Sequence, residues 1–283
     1  MAINEPVVMV GSIISNREIA AGQYLLSCQL PIAFPEPAPG QFIMLRTNNT
    51  PAPLLRRPFS VYIFQKGISS ATLEIIYRLV AEGTRQMATL SPGAPLSVMG
   101  PLGRGFTLLP EQKNIILLAG GVGLAPLAWL ATCYTAFLRN QELACPGPNR
   151  RIICYLGAAT SDSLVGTERM ASCCNELKVC TDDGSCGYHG SVIELFRRDR
   201  DSFDPADTAI YACGPRGMLK SLADLVDGKH LFCQVSLEER MACGLGACLG
   251  CAVAMRGGKG ARIYGRICKD GPVFNIQDVD WNL

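Results

Sequence analysis

The stretch from Met241 to Cys268 constrains this chain more than any other. Cys243, Cys248 and Cys251 stand at C-x4-C-x2-C spacing, which with one more distant cysteine is how a plant-type 2Fe–2S cluster is held. Another cysteine, Cys268, follows in the run Arg266-Ile267-Cys268-Lys269. Thiolates are soft donors that suit iron and sulfide. Gly244, Gly246 and Gly250 can take positive φ and let backbone N–H groups approach the sulfides. Two other readings stay open at this point. A zinc knuckle would use paired C-x2-C units or histidines, and the two histidines, His189 and His230, lie away from the loop. A disulfide pair is the third reading.

The chain has 283 residues, enough for two domains and a small module rather than a single core. Its 26 basic and 24 acidic residues leave a net charge of +2, and no basic run reads as a nucleic-acid patch. The start, MAINEPVVMVGSIISN, lacks a basic segment followed by an apolar one, so the expected compartment is a reducing cytoplasm with free thiols. Of 14 cysteines, most of the ten outside the cluster set, such as Cys28, Cys154, Cys173 and Cys174, are expected as small buried hydrophobes.

The first hundred residues alternate short β-rich runs with turn residues. The runs are Val7–Ile14, Gln23–Leu30, Phe42–Thr47, Phe59–Phe64, Thr72–Leu79 and Pro95–Met99; between them lie Pro35–Gly40, Asn48–Pro53, Lys66–Ser70 and Ser91–Gly93. This spacing predicts a small antiparallel barrel. Within it, Arg56-Arg57-Pro58-Phe59-Ser60 offers a guanidinium for a pyrophosphate and a hydroxyl for a flavin ring nitrogen; a plain strand entry with a surface arginine is the alternative. Ile76-Tyr77-Arg78 and then Gly83-Thr84, opening a helix at Arg85–Leu90, make a second wall for a dinucleotide, or else a capped helix between two strands.

Gly100–Phe106, with three glycines and a proline, reads as the linker that closes the first domain. The apolar span Ile115–Cys133 is long enough to suggest a membrane helix. However, Gly120, Gly121, Gly123 and Pro126 cut it into a buried strand, a glycine loop and a helix with proline in its first turn. Strands at Arg151–Leu156, Glu176–Thr181 and Thr208–Cys213 then alternate with helices near Ser163–Cys174, Ser191–Arg198 and Met218–Leu225, the pattern of a doubly wound parallel sheet. Ligands of such sheets sit at strand carboxyl ends, so Gly120, Gly121 and Gly123, the turn with Asp182 and Asp183, and Cys213-Gly214 are expected to face one crevice. Acidic residues there repel a 2′-phosphate and favour NAD over NADP, unless they only cap a solvated turn.

Arg57-Pro58-Phe59-Ser60, Glu82-Gly83-Thr84, Gly100-Pro101-Leu102-Gly103, the Gly120–Pro126 loop and Cys213-Gly214-Pro215, in that order, resemble the ferredoxin-NADP reductase superfamily. Ser236–Gly244 and Cys268–Phe274 more specifically resemble the electron-transfer subunits of class 1B, NAD-dependent dihydroorotate dehydrogenases, and the likeness covers nearly the whole chain. The resemblance implies an α+β multidomain protein. Its parts are an antiparallel β-barrel flavin domain (1–107), an α/β doubly wound nicotinamide domain (108–230) and a small C-terminal 2Fe–2S module (231–283). It implies that Arg57, Pro58, Phe59, Ser60, Ile76, Tyr77, Arg78, Gly83 and Thr84 bind FAD, that Cys243, Cys248, Cys251 and Cys268 ligate the cluster, and that NAD is the acceptor.

By the same resemblance the partner is an FMN-containing catalytic subunit in a heterotetramer of two of each, serving de novo pyrimidine synthesis, with no nucleic acid or membrane involved. No general base of the chain's own is expected. The nearest rivals, subunits of bifurcating ferredoxin-NADP reductases or sulfide dehydrogenases, replace the first loop cysteine by aspartate, whereas this chain has Cys243. A cluster-based redox sensor is the rival from another class.

Overall fold

The computed structural model describes residues 6–47, 54–140, 150–257 and 263–282. The turn expected at Asn48–Pro53 lies outside them, as does Cys145. The first sheet is built by strict alternation. Its strands are β1 (Val7–Ala20), β2 (Gln23–Pro31), β3 (Phe42–Thr47), β4 (Arg57–Ser60), β5 (Ile63–Lys66), β6 (Ser70–Arg78) and β7 (Pro95–Leu102), with helix α1 (Glu82–Ala88) between the last two. Every second residue, including Leu26, Cys28 and Leu30, Ile43 and Leu45, Leu73, Ile75 and Tyr77, Leu96 and Val98, points into one interior, as the period of two requires. The order is β4-β3-β7-β1-β2-β6-β5, and all neighbours are antiparallel. The ends β4 and β5 are not paired in this order, so the sheet curls into a half-open barrel.

Three local expectations differ from the structure. The run Phe59–Phe64 is two strands, because the chain turns at Val61–Tyr62 so that β4 joins β3 and β5 joins β6. The helix starts at Glu82 rather than Arg85. Gly100–Leu102 complete β7, where Leu102 pairs with Phe42, so the linker begins only at Gly103.

The second sheet takes β8 (Asn114–Gly120), β9 (Arg151–Ala158), β10 (Glu176–Thr181), β11 (Tyr188–His189), β12 (Thr208–Cys213) and β13 (Phe232–Ser236), with helices α2 (Leu124–Asn140), α3 (Thr167–Cys173), α4 (Val192–Asp199) and α5 (Arg216–Val226). A ribbon of β14 (Ala252–Met255) and β15 (Ile263–Arg266) follows, and β16 (Val273–Asn275) returns to the sheet. The order is β11-β10-β9-β8-β12-β13-β16, parallel except for β16.

Both faces of this sheet are covered, which explains its continuous aliphatic runs. Ile115, Leu117, Ile152, Cys154 and Tyr211 pack with α2 and α3; Ile116, Leu118, Ile153, Tyr155 and Ile210 pack with α4 and α5. The apolar span Ile115–Cys133 is thus strand, loop and buried helix. Among the described residues no helix is long and apolar enough to cross a membrane.

β13 and β16 were not legible as strands, and both come from the segment assigned to the cluster module. That segment is therefore stitched into the nucleotide sheet. It also packs on the barrel: Cys251, Val253, Ile267, Cys268 and Phe274 share one core with Phe42, Met44, Met99 and Leu102 of β3 and β7. Outside the cluster set, Cys28, Cys154, Cys180, Cys213 and Cys233 are buried; Cys133, Cys173 and Cys174 are half-buried and Cys186 is exposed.

Candidate functional site

Two cavities meet where the barrel, the carboxyl ends of the parallel strands and the C-terminal segment come together. The first, about 520 Å³, is lined by Arg57, Pro58, Phe59 and Ser60 of β4, by Ile76, Tyr77 and Arg78 of β6, by Thr84, and by Ser236–Met241. Its wall is aromatic and rigid. Tyr77 is 2% exposed, donates its hydroxyl to Asn16 Oδ1 at 3.0 Å, and stands edge-on to Phe59 at 6.0 Å. Arg57 donates to the Leu55 carbonyl.

Gly83 does not line this cavity. A Cβ there would come within 2.4 Å of Arg57 Nε, so its glycine lets α1 lie against the guanidinium. The Thr84 hydroxyl closes the start of α1, accepting from Val80 N–H at 3.0 Å and Ala81 N–H at 3.2 Å. Arg56 turns away and stitches β3 to β7, donating to the Met44 carbonyl at 3.5 Å, to Ser97 Oγ at 2.9 Å and to the Ser97 carbonyl at 3.2 Å.

The second cavity, about 510 Å³, is lined by Gly120, Gly121, Val122 and Gly123, by Ala158, Ala159 and Asp182, and by Gly214, Pro215 and Met218. Two of its glycines have different reasons. Gly121 has φ +55 and nothing within 4 Å of a built Cβ, so its conformation, not crowding, calls for glycine. A Cβ on Gly123 would stand 2.5 Å from the Cys213 carbonyl oxygen, so here the glycine seats the start of α2 against β12. Backbone N–H groups at the start of a helix behind a glycine loop suit a pyrophosphate.

Asp182 and Asp183 separate. Asp182 lines the cavity, whereas Asp183 turns back to accept from Ser185 N–H at 3.0 Å and Ser185 Oγ at 2.6 Å. Those bonds hold its carboxyl below its ordinary value. Asp183 is therefore a turn residue in this structure. The Cys213 side chain is likewise absent from the cavity lining: burial pushes its thiol well up, and Gly214 alone of that pair reaches the cavity.

Arg78, Val122 and Glu238 line both cavities. Glu238 was missed as a site residue, as was the whole lining Ser236–Met241. The signal existed in the rule already applied to the other strands: a ligand sits past the carboxyl end, and Ser236 ends β13. Recognising that five-residue strand would have pointed to Glu238.

From Met241 the chain enters the cysteine loop. Gly244 and Gly246 have φ +70 and +81; at the third bend it is Leu249, at φ +58, that takes the left-handed conformation rather than Gly250. N–H groups aim at the sulfurs, Gly246 to Cys268 Sγ at 3.1 Å, Leu245 to Cys243 Sγ at 3.4 Å, and Cys268 to Cys251 Sγ at 3.4 Å. Arg266 holds the loop from behind, donating to the Gly246 carbonyl at 3.1 Å and to both oxygens of Asp270.

The thiols stand in two pairs. Cys243 is hydrogen-bonded to Cys248; burial raises its thiol, but the N–H groups of Leu245, Cys248 and Ala247 and the Cys248 side chain outweigh this and hold it at about 6. Cys268 pairs with Cys251, and burial together with that neighbour pushes it up to about 12. Among the described residues no three such side chains are grouped around one ion position. Two thiol pairs with N–H donors aimed at sulfur fit a cluster of two irons, each taking two thiolates.

Residues 238–280 match the family model of the iron-sulfur cluster binding domain of dihydroorotate dehydrogenase B, and residues 117–224 match the oxidoreductase NAD-binding domain. The chain is 36% identical over 263 residues to the dihydroorotate dehydrogenase B (NAD(+)) electron transfer subunit of Desulforamulus reducens, covering 93% of this chain and 94% of that one. It belongs to the family of dihydroorotate dehydrogenase B electron transfer subunits. The family member of Caldanaerobacter subterraneus subsp. tengcongensis is 35% identical over 271 residues, covering 96% and 98% of the two chains. Among solved structures, the NADH-dependent reduced ferredoxin-NADP oxidoreductase, a flavin-based bifurcating enzyme, aligns at TM-score 0.79 and 25% identity over 96% of this chain and 90% of that one. The bifurcating rivals thus share the fold, while the nearer sequence kinship is with the dihydroorotate dehydrogenase subunits.

Proposed function

We propose that this chain carries electrons from the FMN of a dihydroorotate dehydrogenase catalytic subunit, through a 2Fe–2S cluster and FAD, to NAD+, in pyrimidine synthesis. The observation that carries the reading is continuity. One segment, Ser236–Met241, lines the first cavity, contributes Glu238 to the second, and runs on directly into Cys243. When bound, the cluster and FAD join one-electron delivery to two-electron hydride chemistry.

The chain's own residues bind and orient. Arg57 and Arg78 supply positive charge for the FAD phosphates, while Phe59, Ile76 and Tyr77 give the ring an apolar wall and Ser60 a hydroxyl. Gly120, Gly121 and Gly123 admit the NAD pyrophosphate to the start of α2, and Asp182 disfavours a 2′-phosphate. Cys243, Cys248, Cys251 and Cys268 hold the cluster. In this reading the functional units are 1–107 for flavin, 108–230 for nucleotide and 231–283 for the cluster, the last fastened to the nucleotide sheet by β13 and β16. The complex is a heterotetramer of two chains of each kind and works in the cytoplasm.

Anaerobic purification with iron, sulfide and flavin assay tests the reading. Two irons, two sulfides and one FAD per chain are expected. Zinc, or protein without flavin, would move the chain to a binding or sensing role.

A further inference from the structure

Among the described residues one carboxylate lines both cavities. Glu238 lines both cavities, and among the described residues no hydrogen bond or ion pair holds its side chain. Glu238 is exposed to solvent on the cleft wall; the protein atoms crowded around that wall raise its carboxyl above the ordinary value, and Arg78 draws it partly back. The groups facing it are Arg78 from β6, the buried Cys213 thiol from β12 and, farther along the second cavity, Asp182. Glu239 and Arg240 of its own segment line only the first cavity.

Hydride transfer between a flavin in the first cavity and a nucleotide in the second requires the nicotinamide ring at this seam. This step rests on the function proposed above. Oxidised and reduced nicotinamide nucleotides differ by one charge on that ring: the oxidised ring is a cation and the reduced ring is neutral. Everything else in the two molecules that the glycine loop and Asp182 touch is the same. A group that tells them apart must therefore sense the ring charge from the seam. We propose that Glu238 sets the preference of this site for the cationic, oxidised nicotinamide over the neutral, reduced one.

A carboxylate on the wall of a cleft, solvated on one side only, acts more strongly on a nearby charge than it would in open water. Arg78 opposes it across the seam, but Arg78 also lines the flavin cavity, where the FAD phosphates are its counter-charge in the proposed assignment. The attraction is present when NAD+ arrives and gone when its ring has become neutral, so the same side chain that draws in the acceptor releases the product. The sign of the pH effect follows. NAD+ binds the ionised carboxylate better, so its affinity rises as pH climbs through the raised carboxyl value and levels off above it. A neutral ring shows no such rise.

The test is equilibrium binding to anaerobic, oxidised, FAD- and cluster-loaded protein. The two probes are NAD+ and 1,4,5,6-tetrahydro-NAD, whose ring is neutral and gives no hydride. The wild type should prefer NAD+ by about tenfold at high pH, a charge effect of the size expected in such a cleft, with the preference shrinking as pH falls. Glu238→Gln should bring the ratio close to one and flatten its pH profile while flavin and cluster absorbance stay unchanged. Glu238→Asp, which keeps the charge, should keep most of the preference. A Glu238→Gln protein with the wild-type ratio and pH profile would overturn the inference. Failure of the wild type to bind either nucleotide would overturn the cavity assignment, and this inference with it.

Discussion

The nucleotide crevice and the cysteine loop are both built around glycine, but they are held in shape by different forces. The crevice sits at the ends of strands whose side chains are buried on both faces, and its glycines are closely packed: Gly123 on the Cys213 backbone carbonyl, Gly120 on the Met218 and Pro215 side chains. The cysteine loop from Met241 to Gly250 has no strand or helix, and Leu245, Ala247, Cys248, Leu249 and Gly250 are all exposed. Its shape rests on Gly244 against Met44 and on Arg266 reaching the Gly246 carbonyl. The crevice is thus formed by the core before any ligand arrives. The loop depends on its metal group for the rest of its stability, as small metal sites generally do.

The largest expected effect breaks the loop without touching the crevice. Cys248 is the exposed thiol of its pair, so Cys248→Ser should abolish the visible and paramagnetic signature of the cluster while FAD and NAD binding persist. A surviving cluster spectrum would overturn the ligand set, and loss of the flavin as well would overturn the independence of the two regions. The reverse experiment is Gly123→Val. The new Cβ would stand 2.5 Å from the Cys213 carbonyl, and overpacking of this kind costs about 1–3 kcal/mol. Thermal unfolding should move down and NAD binding should weaken, with the cluster content per folded chain unchanged. Gly217→Ala in α5, where nothing lies within 4 Å, is the matched control and should do no harm.

The same contrast decides what the sequence disclosed. Continuous aliphatic runs such as Asn114–Ala119 and Thr208–Cys213, the glycines after the first of them, and the cysteine spacing are local patterns, and each was legible. β13 and β16 have five and three residues and exist because they pair with each other and with β12. That pairing is non-local, so Phe232–Ser236 passed as part of the cluster segment and Glu238, two residues beyond its end, was not named as a site residue. Which of two adjacent aspartates faces a ligand is also beyond a local pattern. It depends on Ser185 capturing the Asp183 carboxylate, a detail of one turn.

That capture makes a sharper, smaller prediction about the crevice. Of the two aspartates only Asp182 lines the cavity, so in the proposed assignment Asp182→Asn should lower the NADH-over-NADPH preference in flavin reduction by about tenfold, the scale of one charge repulsion in a partly solvated cleft. Asp183→Asn should leave the preference in place and only loosen the turn. Equal loss in both variants would return the two aspartates to a shared role, and a wild type that favours NADPH would remove the role from both.

The smallest effect tests whether the scaffold behind the crevice is stable without the loop's metal. On the α4 face of the sheet, the Asp199 carboxylate accepts from the Tyr155 hydroxyl at 2.9 Å and from Lys178 Nζ at 2.6 Å. Burial would raise its carboxyl, but the bonds from Lys178 and Tyr155 outweigh burial and hold it below the ordinary value. A lowered folded value means that the contribution is fully present above the unfolded value, near pH 4, and is lost as pH falls through the folded one. Asp199→Asn should therefore cost about 1 kcal/mol at neutral pH, a charged hydrogen bond discounted for partial exposure, and the gap to wild type should close below about pH 4. Denaturant unfolding of both proteins at neutral and acid pH measures it. Acid that strips iron and sulfide does so from both, so the difference between them isolates the scaffold. A gap that stays constant with pH would assign the effect to packing of Tyr155 instead of to the charge on Asp199.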